Sequence, residues 1–277
     1  MYKTNLNTKI AILNDSKKKQ WPLGDYIHIL SFLPNIKFRT LDWYSSSDTF
    51  KIIKEVDFIN DYKKLNKFDE KKYDHIINLC DNFENSKKTF YINNLFDPKK
   101  NDKENTKSLL RKLAKIYNIN NYKIFFNRKK NIKCKYDLFI CWNTNKNWKI
   151  KRYPYQRYLT IKSYLEKKYK MKVKIQGKND KLEKYIHNIK VSKIILSVMT
   201  LGIHFSMLFN KHLIALIGPN NYDDLKLYQK VIQILPSKRC KIHSKKLNVN
   251  YSKCSCMQRI DENKIIKTIS RIYEKIS

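Results

Sequence analysis

Short runs of apolar residues alternate along this chain with longer stretches in which apolar side chains recur every three to four positions. A short apolar run is typical of a buried strand, and a periodic stretch is typical of an amphipathic helix. Strands are predicted at residues 9–13, 36–41, 74–79, 138–142, 172–175, 194–198 and 213–217. Helices are predicted at residues 26–32, 108–117, 155–169, 181–189, 204–209, 224–231 and 262–276. This alternation favours βα units and a mainly parallel sheet.

The hydrophilic stretches suggest how the chain is divided. Residues 61–72 and 97–107 are dense in Lys, Asp and Asn, and we predict surface loops or frayed helix ends there. The basic segment 127–135 lies between two sets of βα units. Because 277 residues suit one large domain or two ordinary ones, we expect an α/β protein of two halves, 1–130 and 131–277. A cleft between such halves is a common place for a ligand.

The composition excludes some classes of protein and leaves the meaning of the charge open. Hydrophobic residues make up 42% and aromatic residues 13%, which excludes a fully disordered chain. The net charge is +35, yet only eight of the 59 basic residues are Arg. Abundant Lys, Asn and Ile with scarce Gly, Pro, Ala and Arg are typical of an AT-rich coding sequence. The alternative is selected attraction to a nucleic acid, a membrane surface or a phosphorylated substrate.

The cysteines and the chain's start indicate a reducing compartment. Six Cys are scattered through the chain, and its first residues lack the apolar segment of a signal peptide. The longest apolar run, 194–209, is shorter than the roughly 20 residues of a membrane-spanning helix. We therefore expect a cytoplasmic protein with reduced thiols and no transmembrane segment.

One group of cysteines invites comparison with a zinc site. Cys240 and His243 are followed by Cys254 and Cys256. The Cys-x-Cys spacing differs from the Cys-x-x-Cys of common zinc fingers, so unpaired thiols are favoured over a metal site.

The four glycines all follow predicted strands. They are Gly24, Gly177, Gly202 and Gly218. Open α/β sheets bind ligands beyond the carboxyl ends of their strands, which favours a ligand cleft at these positions. Turns between strands and helices also use glycine for purely conformational reasons, and this is the alternative for each glycine taken singly.

Three segments carry recognisable motifs. Residues 22–25 read Pro-Leu-Gly-Asp before an apolar helix, and residues 151–154 read Lys-Arg-Tyr-Pro at a helix start. Residues 200–204 read Thr-Leu-Gly-Ile-His, and a strand then leads to Gly-Pro-Asn-Asn at 218–221. In this order the segments resemble glycosyltransferase family 9, the ADP-heptose:lipopolysaccharide heptosyltransferases and their relatives. Met199 stands where that family usually has Asp.

The resemblance implies a fold and an activity. The fold would be of the GT-B type, with two Rossmann-like domains whose mainly parallel sheets face each other across a cleft. The acceptor, a lipopolysaccharide-type or other surface glycan, would bind the N-terminal domain, and a nucleotide-sugar donor would bind the C-terminal one. The final helix, 262–276, could pack back on the N-terminal domain. The transfer would be inverting and would need no metal or other cofactor. Peripheral contact with the inner face of an anionic membrane would suit the basic surface.

The resemblance also assigns roles to residues. Asp25 would be the catalytic base; its alternative is an ordinary helix cap. Gly24 and His28 would lie on the acceptor side. Lys151 would contact the diphosphate, although a solvated side chain is the default for a lysine in this chain. The other donor-binding candidates are Thr144, Asn145, Thr200, Gly202, His204, Gly218 and Asn220.

Two other functions stay open at this point. A basic nucleic-acid-binding protein would use the net charge, although no recognisable binding module is present. A catalytically degenerate transferase, kept as a binding subunit, is suggested by Met199.

Overall fold

The computed structural model describes residues 5–14, 23–45, 56, 58–79, 89–91, 115, 117–119, 132–144, 149–218, 225, 228, 230–238 and 254–277. The chain divides into two compact units, Met1–Asn127 and Arg128–Ser277. Each unit contains a five-stranded sheet whose neighbouring strands are all parallel. The predicted α/β class with mainly parallel sheets is therefore confirmed.

The N-terminal unit has the strand order of a Rossmann-type sheet. Its strands are β1 (Lys9–Asn14), β2 (Thr40–Ser45), β3 (Asp61–Lys64), β4 (His75–Asn78) and β5 (Thr89–Tyr91), and helix α1 (Leu23–Phe32) follows β1. Across the sheet they lie in the order β3-β2-β1-β4-β5. The central strand β1 and its neighbour β2 are buried nearly throughout, as expected of a parallel sheet covered on two faces.

A partly buried charged network lies within this unit. The Asp42 carboxylate accepts hydrogen bonds from the Tyr73 hydroxyl at 2.6 Å and from Lys63 at 3.2 Å. The Tyr73 hydroxyl lies 2.8 Å from that of Tyr44, and Lys63 also pairs with Asp61 at 3.1 Å. Burial acts to lower the pKa of Lys63, but hydrogen bonds to Asp61 and Asp42 outweigh it and raise this pKa. The network ties the edge strand β3 to the rest of the sheet.

The C-terminal unit has the other common order of doubly wound sheets. Its strands are β6 (Tyr136–Cys141), β7 (Val173–Ile175), β8 (Ser192–Val198), β9 (His212–Leu216) and β10 (Val231–Ile234). Its helices are α2 (Tyr155–Tyr169), α3 (Leu182–Lys190), α4 (Leu201–Leu208) and α5 (Glu262–Ile276). The sheet order is β10-β9-β8-β6-β7, so β7 is added on one side of β6 and the later strands on the other.

Two amphipathic helices cover one face of this sheet. The residues that α5 buries include Ile265, Ile269 and Ile272, and α2 buries Tyr158, Ile161 and Leu165. Both sets recur every three to four positions and join one apolar core with β6, β8 and β9. On the opposite face, the ring of Phe139 contacts Tyr185 of α3. Packing of the final helix on the N-terminal unit stays a prediction.

Several predicted elements differ from the observed ones. The strand predicted at 36–41 is β2, displaced toward the carboxyl end, because Ile36 closes a 3₁₀ turn with its N–H on the Leu33 carbonyl at 2.9 Å. The loop predicted at 61–72 contains β3. This polar edge strand pairs with β2 through backbone groups, so its sequence lacks the apolar residues by which buried strands are recognised. Val231, the predicted end of a helix, opens β10 instead, which pairs with β9.

Other predictions lie wholly or partly outside the described residues. This applies to the loop at 97–107 and to nearly all of the helix at 108–117. Among the described helices, none is both long and apolar enough to cross a membrane.

Candidate functional site

The order of strands singles out one edge of the C-terminal sheet. The chain reverses the direction in which strands are added between β6 and β8. In open α/β sheets, ligands bind outside the carboxyl ends of the strands at such a reversal. Thr144 lies just beyond the end of β6, and Thr200 just beyond the end of β8. The two predicted donor-binding threonines therefore flank the reversal.

The turn from β8 into α4 is held by its own hydrogen bonds. The Thr200 side chain caps α4 by accepting a bond from the Gly202 N–H at 3.4 Å, and the Thr200 N–H bonds to the Val198 carbonyl at 2.7 Å. A helix start of this kind presents backbone N–H groups and the positive end of the helix dipole, a favourable place for an anion. His204 lies one turn further along α4 and is half-buried.

Close packing explains why position 202 is glycine. A Cβ on Gly202 would lie 2.5 Å from the Tyr185 hydroxyl, 2.7 Å from the Ser197 hydroxyl and 3.0 Å from Cys141 Cβ. None of the described glycines has a positive φ, so space decides here and not backbone conformation. The role of Gly202 toward a ligand stays a prediction.

These surrounding groups form what we call the neutral cluster: Cys141, Tyr185, Ser197 and Thr200. The Ser197 and Thr200 hydroxyls lie 3.3 Å apart. Burial raises the pKa of the Cys141 thiol to about 12 and that of the Tyr185 hydroxyl well above its usual value. Because neither group ionises near neutral pH, the cluster supports the start of α4 without adding charge.

The Lys151 turn lies against the end of β9. Residues Lys149–Lys151 form a 3₁₀ turn, and the Ile150 carbonyl lies 3.8 Å from where a Cβ on Gly218 would be. The Met257 side chain occupies most of that space, which accounts for this glycine. Burial lowers the pKa of Lys151, so a neighbouring anion would favour its charged form.

Arg152 is a further candidate for the site that the sequence motifs did not single out. Its Nε donates to the Thr144 hydroxyl at 3.2 Å, which joins the loop after β6 to the Lys151 turn. Its sequence position could have indicated it, because Arg is rare in this chain and Arg152 directly follows the predicted Lys151. A guanidinium here adds a second cation beside Lys151.

Several predicted residues lie outside what the structure describes. Asn145 and Asn220 are among them, as are Cys240 and His243 of the candidate zinc group. In the described parts of the chain, no three His, Cys, Asp or Glu side chains are grouped as a metal site would need.

The acceptor-side predictions fall on α1. Gly24 and Asp25 lie in its first turn, and His28 follows one turn later. Their backbone is described but their side chains are not. Helix α1 follows β1, which is the strand at the reversal of the N-terminal sheet. The roles of these three residues stay predictions.

The comparisons with known proteins agree in fold. No protein-family model matches the sequence, and no curated protein matches it. E. coli ADP-heptose LPS heptosyltransferase II is 11% identical with a TM-score of 0.61, over 96% of this chain and 99% of that one. A Veillonella parvula glycosyltransferase of family 9 is 12% identical with a TM-score of 0.61, over 99% and 100%. The E. coli heptosyltransferase WaaC with ADP is 12% identical with a TM-score of 0.54, over 96% and 98%. The predicted resemblance to family 9 is confirmed at the level of the fold.

Proposed function

We propose that this chain is a glycosyltransferase that moves a sugar from a nucleoside-diphosphate donor to a glycan acceptor. One observation carries the proposal. The chain shares its fold with heptosyltransferases over nearly its whole length, and its Lys-x-aromatic-Pro and Thr-capped motifs follow β6 and β8, the strands at the reversal. Fold alone would not suggest a reaction, but fold and motifs together favour this one.

The donor is proposed to be an ADP-linked sugar, with ADP-heptose as the first candidate. Related structures are named for ADP-heptose or contain ADP. In this chain, Lys151 and Arg152 supply positive charge, and the capped start of α4 supplies oriented N–H groups. A diphosphate is a good match for such a set, because it carries negative charge on several oxygens. His204, Gly218, Asn145 and Asn220 would complete the donor side.

The proposed reaction inverts the configuration of the sugar. The acceptor hydroxyl attacks the anomeric carbon on the face opposite the diphosphate, and the bond from that carbon to the diphosphate oxygen breaks. Asp25 accepts the hydroxyl proton. Lys151 and the α4 start stabilise the charge that develops on the leaving diphosphate. No metal or other cofactor is part of this scheme.

The setting of the reaction follows the same resemblance. The two units would face each other across a GT-B cleft, with Gly24 and His28 on the acceptor side. The acceptor would be a lipopolysaccharide-type or other surface glycan, handled in the cytoplasm at the inner face of the membrane. A binding subunit without activity is the second candidate. It is favoured by Met199, which is buried directly after β8 at the position where the family that the chain resembles usually has Asp.

A thermal-shift panel of ADP, GDP, UDP and CDP tests the proposal. A ligand at 100 times its dissociation constant stabilises a protein by about 2.7 kcal/mol, which is a rise of about 5–10 °C in Tm for a domain of this size. We expect ADP to produce such a rise. If no nucleoside diphosphate shifts the Tm, the proposal fails. If ADP binds but no sugar is transferred from ADP-heptose, the inactive binding subunit is favoured.

A further inference from the structure

The amino edge of the C-terminal sheet carries a lysine at every strand. A lysine directly precedes each of β10, β9, β6 and β7. For β8, the nearest preceding lysine lies two residues before its first residue. We call these the lysine row; in sheet order they are Lys230, Lys211, Lys190, Lys135 and Lys172. Neighbouring strands are about 4.8 Å apart, so the row extends for about 20 Å.

Backbone hydrogen bonds join several of these positions to the neighbouring strand or to the residue that leads into it. The Lys230 carbonyl accepts a bond from Leu213 N–H at 2.8 Å, and the Lys172 carbonyl accepts one from Asp137 N–H at 2.9 Å. The Lys135 N–H donates to the Val191 carbonyl at 2.7 Å. The row is therefore as rigid as the sheet that carries it.

Like charges converge at one end of the row. Burial lowers the pKa of the half-buried Lys211, and the charges of Lys230 and Lys190 lower it further, while Cys134 acts in the opposite direction. Burial and Lys230 also lower the pKa of His212. An arrangement that brings cations this close costs free energy by itself and is relieved by an anion.

Little negative charge offsets the row. Within the five strands and the residues that lead into them, the acidic side chain is Asp137. Its carboxylate pairs with Lys193 at 2.9 Å and accepts a bond from the Lys172 backbone N–H at 2.8 Å. The end of α5 brings Glu274 to the same edge, because the neighbouring Tyr273 lies under Lys193. The five lysines of the row still outnumber these two carboxylates, and the excess of ammonium groups favours an anionic partner.

Coding bias alone does not produce this row. The strands β1 to β5 of the N-terminal sheet are directly preceded by Thr8, Arg39, Asn60, Asp74 and Lys88, so one arginine and one aspartate cancel and one lysine is left, whereas four of the five C-terminal strands are directly preceded by a lysine. At the opposite edge of the C-terminal sheet, the residues directly after the strands are uncharged; they are Trp142, Gln176, Met199, Ile217 and Leu235. The lysines are concentrated on one edge of one sheet.

Aromatic rings accompany the cations. Lys135 lies over the ring of Tyr136 at 5.5 Å from its centre, and Lys190 over Phe209 at 5.8 Å. Lys193 lies over Tyr273 at 5.6 Å. These three rings are only partly buried. Partly exposed rings below ammonium groups suit the boundary between headgroups and acyl chains.

We propose that the lysine row is a docking surface for a membrane rich in anionic phospholipids. A lysine ammonium is a point charge that tolerates mobile phosphates, whereas reading of bases in nucleic acid favours the planar fork of arginine. The row contains no arginine and lies along one edge of the sheet, so several ammonium groups can reach the phosphates of one surface. Each lysine near an anionic membrane strengthens binding by about 1 kcal/mol, or about fivefold.

Vesicle sedimentation tests the surface. The full chain is mixed with vesicles of phosphatidylcholine alone or with 30% phosphatidylglycerol, in buffer of about 0.1 M salt. We expect binding to the anionic vesicles only. The variant Lys135→Gln, Lys211→Gln, Lys230→Gln should bind about 100-fold more weakly. Its Tm should be unchanged or higher, because the repulsion among Lys211, Lys230 and Lys190 is removed together with the half-buried charge of Lys211.

A matched variant separates the row from net charge. Lys37→Gln, Lys64→Gln, Lys67→Gln removes the same charge from exposed positions of the N-terminal unit and should retain most of the binding. The proposal is overturned if the wild-type chain does not bind anionic vesicles, or if the two triple variants lose the same amount of affinity for them. It is also overturned if the row variant loses affinity for duplex DNA while no vesicle binding is found. Should the triple variant fold poorly, Lys230→Gln alone should lose about fivefold.

Discussion

The two units share one architecture but bury different chemistry beside their sheets. The N-terminal unit holds a charged network in which the half-buried Lys63 bonds to the buried Asp42, and Asp42 accepts a bond from Tyr73 beside Tyr44. The C-terminal unit buries the neutral cluster, which packs under the start of α4. The charged network fixes an edge strand that has little apolar content. The neutral cluster fixes a strand-to-helix turn and leaves the charge of the site to Lys151 and Arg152.

The two sheets also differ in strand order, yet in each unit the first strand lies where the direction of strand addition reverses. The first strand is β1 in one and β6 in the other, and later strands are added on both sides of it. The candidate residues Asp25 and Thr144 both follow these first strands. The proposed chemistry is divided accordingly, with the base in the N-terminal unit and donor binding in the C-terminal unit.

The largest expected effect tests whether the base and the donor-binding groups lie in different units. Asp25→Asn should lower turnover at least ~100-fold, because a positioned base contributes about that much or more. ADP affinity should stay within about twofold of wild type, since the donor groups lie in the other unit. Turnover is measured as ADP release from ADP-heptose with acceptor, and Asp69→Asn is the control carboxylate. Near wild-type turnover of Asp25→Asn would remove this residue as the base.

The next effect concerns the neutral cluster. Gly202→Ala should destabilise the protein by about 3 kcal/mol, the upper part of the range for overpacking, because the new methyl group meets two hydroxyls and Cys141. Gly177→Ala is the matched control, where a Cβ would meet only the Asp180 side chain, and should cost less than about 1 kcal/mol. Urea unfolding followed by circular dichroism measures both. Equal losses in the free energy of unfolding would contradict the claim that close packing requires glycine at position 202.

The smallest of the three effects concerns the charged network. Asp42→Ala should destabilise the N-terminal unit by about 2 kcal/mol, because it removes a buried carboxylate that holds both Tyr73 and Lys63. Asp61→Ala removes the other partner of Lys63, but the Asp61 side chain is 55% exposed, so the loss should be below about 0.5 kcal/mol. The comparison is made by urea unfolding. A larger loss for Asp61→Ala would show that the network is not what holds β3.

Sequence periodicity predicted the two longest described helices well. The bounds of α2 and α5 agree with the structure to the residue, because their apolar stripes are regular and end abruptly. By contrast, β3 was missed, since an exposed edge strand is recognised by its backbone partner and not by its side chains. The strand predicted at 36–41 was displaced because the apolar Ile36 belongs to a turn.

The candidate site was predictable in its residue types but not in its contacts. Thr200, Gly202 and Lys151 were recognised from motifs and follow the strands at the reversal. The hydrogen bond from Arg152 to Thr144 joins two residues of one irregular segment, and the packing of Tyr185 on Gly202 joins residues of two different helices. Only folding brings such groups together, so local patterns carry no trace of these contacts.

Calorimetric titration of ADP into wild type and Lys151→Ala tests the central claim most directly. Wild type should bind ADP, and the variant should bind at least ~10-fold more weakly, the loss of one charge-assisted contact. Lys167→Ala, an exposed lysine on α2, should bind like wild type. Absence of ADP binding by the wild-type chain, or equal affinity of wild type and Lys151→Ala, would contradict a diphosphate site at this edge of the sheet.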